Sequence, residues 1–101
     1  MEGRILALDV GEARTGMAVS DPLGILASPC GTIQGTSAQA DAEAVKRAAA
    51  EHEAVRIVVG VPLNKEGGVG PQAQKVLDFV EVLRATTAIE VVTINERFST
   101  A

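Results

Sequence analysis

Apolar residues follow two rhythms along this chain. Residues 4–10 hold the run Ile5-Leu6-Ala7-Leu8-Asp9-Val10, and residues 56–61 read Arg-Ile-Val-Val-Gly-Val. Continuous runs of this length, not alternating ones, predict buried strands. Thr15 to Ser20 reads as a second strand, antiparallel to the first because the link Gly11-Glu12-Ala13-Arg14 is short. After the turn signal Asp21-Pro22-Leu23-Gly24, a third strand falls within Ile25 to Ile33. Pro29 lacks a backbone donor and places that strand at a sheet edge.

The rhythm changes after the polar stretch Gln34 to Ser37. From Ala40 to Glu53, residues Ala42, Val45, Ala48, Ala49 and His52 recur at helical spacing, with charged positions between them. A Gly-rich loop spans Pro62 to Gly70, and Pro71 suits the first position of a second helix. Its apolar stripe is Ala73, Val76, Leu77, Val80 and Leu83, and Ile89 to Ile94 closes the pattern as a last strand. The predicted order is βββαβαβ, an α/β fold. A three-stranded meander opens a mixed sheet, and two helical crossovers add parallel strands. With 101 residues and no linker, repeat or low-complexity segment, residues 1–101 read as a single domain.

Composition narrows the function. Apolar residues are 47% of the chain but aromatics only 2%, so the core is aliphatic and bases have few rings to stack on. The net charge of −4 disfavours binding nucleic acid through bulk electrostatics, yet it suits a carboxylate cluster that a metal offsets locally. One cysteine, Cys30, and one histidine, His52, leave no intrachain disulfide and no Cys- or His-based zinc cluster. Met1-Glu2-Gly3-Arg4 enters a strand directly, without the pattern of a signal peptide, and no apolar run approaches the roughly 20 residues of a membrane span. The expected location is cytoplasmic.

Three segments, each following a strand, carry candidate chemistry. In the first, Asp9-Val10-Gly11-Glu12-Ala13-Arg14-Thr15-Gly16, a carboxylate stands near the end of a strand and Gly11 and Gly16 permit close backbone approach. Asp9 reads either as a turn cap or as a ligand for a metal or phosphate-handling site. The second runs through Gly60, Asn64, Lys65 and Gly67 to a helix start at Gly70-Pro71, where free N–H groups favour an anion. The third is Asn95-Glu96-Arg97-Phe98-Ser99-Thr100.

Together these segments resemble the YqgF/RuvX family, whose RNase H-like fold is similar to that of Holliday junction resolvases. The resemblance covers essentially the whole chain. Asp9 to Gly16, followed by Ala18, Ser20, Asp21 and Pro22, matches the family's opening motif. Val58 to Gly67 matches Val-Val-Gly-x-Pro-x-Asn-x-x-Gly, Gly70-Pro71-Gln72 matches its Gly-Pro-Gln, and Asn95 to Thr100 matches Asp-Glu-Arg-x-x-Thr. Ala13 stands where the family has Lys, and Asn95 where it has Asp.

The resemblance implies a metal-dependent nuclease acting on structured nucleic acid, either branched DNA or the precursor of the small-subunit ribosomal RNA. It implies Asp9 and Glu96 as catalytic ligands of Mg²⁺ or Mn²⁺, cations suited to carboxylate oxygens. Arg14, Asn64, Lys65, Arg97 and Thr100 are the implied nucleic-acid contacts, and Gly11, Gly16, Gly60 and Gly67 the structural loop glycines. Family chains continue into a further helix with another metal-binding Asp. No residue among these 101 takes that role by motif, so the chain is a fragment, or is naturally incomplete, or another subunit supplies the group. Symmetric cutting of two strands would call for a homodimer; trimming of RNA would not. An inactive nucleic-acid or ribosome-associated binding module is the alternative. A sugar-kinase or actin-like ATPase half-domain, which also opens on Asp-x-Gly, would need a second domain.

Overall fold

The computed structural model describes residues 3–11, 14–20, 27–35, 37–62 and 68–95. The chain order is β1 (Arg4–Val10), β2 (Arg14–Ser20), β3 (Ala27–Gln34), α1 (Ala38–Glu51), β4 (Ala54–Val61), α2 (Pro71–Thr86) and β5 (Glu90–Asn95). This is the predicted βββαβαβ sequence. The five strands form one sheet in the order β3-β2-β1-β4-β5. β1 pairs antiparallel with β2 and parallel with β4, β2 pairs antiparallel with β3, and β4 pairs parallel with β5.

The edge position of β3 follows from its sequence. Pro29 cannot donate to a ladder, the β2–β3 register shifts between Met17 and Ala18, and Gly31 has φ 148°. A bulge and a proline together suit an edge and would disrupt a central strand.

Both helices cover one face of the sheet and pack against each other. Leu6 and Leu8 of β1 stand beside Ile57 and Val59 of β4, and Ile57 stands beside Val91 of β5. These residues join Ala42, Val45, Ala48 and Ala49 of α1 and Ala73, Val76, Val80 and Leu83 of α2 in one buried cluster. Phe79, absent from the predicted stripe, is also buried there. It lies three residues after Val76 and four before Leu83, on the same helix surface.

The other sheet face has no helix over it among the described residues. There Ile5, Ala7 and Val58 are half-buried, and Asp9 is exposed. The continuous apolar runs thus predict more burial than the strands receive. Arg56 and Glu90, register partners on neighbouring strands, form an ion pair at 2.8 Å at the far end of the sheet from Asp9. Both are about half exposed, so the pair adds at most about 1 kcal/mol.

Helix α1 runs two residues ahead of its predicted limits. Ser37, read as loop, is the N-cap, and its hydroxyl accepts from the Ala40 N–H at 3.1 Å. His52 is the C-cap, its N–H donating to the Ala48 carbonyl at 3.0 Å, and Glu53 turns the chain with φ 57°. α2 starts at Pro71 as predicted. Its last turn is tied to β5 by Arg84, whose Nη2 donates to the Val91 carbonyl at 2.9 Å. Among the described residues no helix is long and apolar enough to cross a membrane.

Candidate functional site

Strand directions decide where the site can be. β1, β3, β4 and β5 all run the same way, so their carboxyl ends share one edge of the sheet. α1 follows β3 and α2 follows β4, so both helix N-termini meet that edge, as does Arg14 at the start of β2. In α/β sheets this mouth is the usual place for ligands.

Asp9 occupies the mouth from β1. Its neighbours Leu8 and Val10 face the helices, which turns Asp9 to the helix-free face. Its register partner on β2 is Gly16. On the other flank Leu8 pairs with Val59, and the next residue of β4 is Gly60. The carboxylate therefore stands between two residues without side chains. It opens on a groove of about 450 Å³ whose lining includes Ala7, Ala18, Val58 and Ile94. Among the described residues lining the groove, Asp9 is the only charged one.

The hairpin that presents Asp9 is closed tightly. The Gly11 N–H donates to the Arg14 carbonyl at 2.9 Å. A Cβ at position 11 would stand 2.8 Å from that same oxygen, so this turn needs glycine. Gly16 and Gly60 differ from their reading as loop glycines. Both lie inside strands, β2 and β4, because pairing reaches past them, to Thr15 opposite Val10 and to Val61 opposite Asn95.

On the helix side of the mouth lies a second cavity of about 270 Å³, lined among others by Gly11, Thr15, Ser37, Asp41 and Lys75. Gln72 ties α2 to β1 at the mouth. Its Nε2 approaches the Val10 carbonyl at 3.5 Å, the long limit of a hydrogen bond, and links the first turn of α2 to the end of β1. Gln72 was visible beforehand only as part of the Gly-Pro-Gln motif; its contact across 62 residues leaves no local signal.

Of the expected site residues, Asp9, Arg14, Gly11, Gly16 and Gly60 are at or beside this mouth. Arg14 is exposed, at the first pair of the β2–β3 ladder. Glu96, Arg97, Thr100, Asn64, Lys65 and Gly67 lie outside the described residues, as does the Asp21-Pro22-Leu23-Gly24 turn. Among the described residues no group of three or more His, Cys, Asp or Glu could hold a metal ion. Asp9 still fits such an ion in kind: it is exposed, its oxygens suit a hard cation, and glycines leave room on both sides.

Comparison with known proteins adds identity to this geometry. The profile of RuvX, described as Holliday junction resolvase, matches residues 3–101. A Clostridioides difficile (strain 630) protein carrying the name "Putative pre-16S rRNA nuclease" is 41% identical over 100 residues, spanning 99% of this chain and 71% of its own length. A Synechococcus protein of the same name is 45% identical over 96 residues, spanning 95% of this chain and 56% of its own. Among solved structures, T. thermophilus RuvC in complex with Holliday junction substrate aligns with a TM-score of 0.63 at 15% identity, over 94% of this chain and 66% of that one. The ROK hexokinase from Thermus thermophilus aligns at 0.60 and 22% identity, over 91% of this chain and 33% of that one. At these identities the two structures establish a shared fold, the RNase H-like sheet.

Proposed function

The chain belongs to the RuvX family of Holliday junction resolvases, and from that membership we propose that it is a metal-dependent nuclease whose substrate is the precursor of 16S ribosomal RNA. The observation that carries the reading is Asp9: an exposed carboxylate at the shared mouth of the parallel strands, on the open face, flanked by glycines. The choice of RNA over branched DNA rests on the names carried by relatives 41–45% identical to it. The likeness to RuvC extends only to the fold.

Asp9 and Glu96 would hold Mg²⁺ or Mn²⁺. Such a cation, when bound, lowers the pKa of a water and offsets charge building on a phosphate. The chain's own residues do the rest. The Gly11 turn fixes the end of β1, so Asp9 is held on a strand inside a five-stranded sheet instead of on a loop. Arg14 places a guanidinium at the same end of the sheet, where it would hold a phosphate flanking the scissile one. Asn64, Lys65, Arg97 and Thr100 are proposed as further contacts to the nucleic-acid backbone.

The test is a side-by-side assay with Mn²⁺ and with Mg²⁺, using a structured fragment of the 16S precursor and a four-way DNA junction. Cleavage of the RNA with little or none of the junction is the expected result. Cleavage of the junction alone would reassign the substrate. Binding of either without cleavage by a folded chain would favour an inactive binding module.

A further inference from the structure

Nothing among the described residues requires Gly16 to be glycine. Its backbone is not in the left-handed region, so an ordinary residue could adopt its conformation. Apart from Gly16 itself and its two chain neighbours, no heavy atom of the described residues lies within 4 Å of where its Cβ would stand. Gly11 makes the contrast, with a carbonyl oxygen 2.8 Å from the same point. A glycine inside a strand is destabilising relative to alanine and gives its neighbours nothing to pack on. Among the described residues, no gain in packing or turn geometry offsets that cost to β2.

What it does leave is space, and the place of that space is specific. Across the mouth, on the helix-free face, runs the row Thr32, Gly16, Asp9, Gly60, Ile94, one residue from each strand. All five line the same groove. Asp9 projects from the middle of the row with bare backbone on either hand. Toward β2 the next side chain along the row is that of Thr32, one strand beyond Gly16. No aromatic residue lines the groove among the described residues, so nothing there would stack a base.

We infer that Gly16 determines which ligands reach Asp9: its missing side chain admits the sugar–phosphate backbone of a substrate strand from the β2 side. The inference rests on the nuclease reading of Asp9 and adds the direction of approach and the part of the substrate that is recognised. Backbone is admitted, without a site for a base.

The experiment uses Gly16→Val and Gly16→Ala beside the unaltered chain and Asp9→Asn, on the 16S precursor fragment. Melting temperature, Mn²⁺ affinity by titration, kcat and KM are measured for each. Valine favours strands, so Gly16→Val should melt at or above the unaltered chain and bind Mn²⁺ equally well. Its kcat/KM should fall about tenfold or more, a loss carried mainly by KM and equivalent to about 1.4 kcal/mol. Gly16→Ala should show the same split to a smaller degree, and it decides the matter alone if the valine variant does not fold. A folded Gly16→Val that cleaves like the unaltered chain would overturn the inference. So would a loss of activity matched by an equal loss of Mn²⁺ affinity, since the side chain would then act on the ion and not on access. Cleavage that survives Asp9→Asn, or an inactive unaltered chain, marks failure of the nuclease reading of Asp9, and the inference falls with it.

Discussion

At the scale of single residues, the glycines of the first motif separate into two kinds. Gly11 is fixed by sterics: the carbonyl that accepts its N–H also fills the space a Cβ would need. Gly11→Ala should therefore push the hairpin apart and cost about 1–3 kcal/mol, the usual range for overpacking, read as a lowered melting temperature. An unchanged melting temperature would mean that the turn relaxes freely. Cys30 gives a second residue-scale test. Burial, and then the negative charge of Glu51, push its thiol pKa above the ordinary value. A raised pKa means less thiolate at a given pH, and thiolate is the reactive form. At about pH 8.5, where an unperturbed thiol is half ionised, iodoacetamide should alkylate Cys30 more slowly in the folded chain than in the denatured one. Equal rates would contradict the shift.

At the scale of elements, the sequence was most legible where one periodicity ran unbroken. β1, β4 and α2 could be placed from apolar spacing and one proline, and the edge position of β3 from Pro29. The limits of α1 were less legible, because its ends depend on individual side chains and backbone angles. Ser37 looks like one more polar loop residue until its hydroxyl is seen capping Ala40, and nothing in the identity of Glu53 announces a positive φ. Removing the cap tests that account. Ser37→Ala should cost about 1 kcal/mol in a denaturant titration, with the slope unchanged. The site was legible in part for the same physical reason. Asp9 and Gly11 act through a local turn, which sequence records. The placing of Gly60 beside Asp9, and the reach of Gln72 to β1, are products of tertiary register and leave no local trace.

At the scale of the whole molecule, two crossovers of the same kind place both helices on one face and leave Asp9 on the other. The buried core lies on one side of the strands, and on the other side Asp9 is exposed among the described residues. The same sheet serves hexokinase and RuvC, so architecture alone assigns no chemistry. The assignment comes from family membership together with the placement of one carboxylate. Its most direct test is cleavage of the 16S precursor fragment in Mn²⁺ by the unaltered chain and by Asp9→Asn, an exposed substitution that should leave the fold intact. A fall in kcat/KM of about a hundredfold or more at an unchanged melting temperature, as expected from losing several kcal/mol of charge stabilisation, is the predicted result. Equal cleavage by the two proteins would contradict the account.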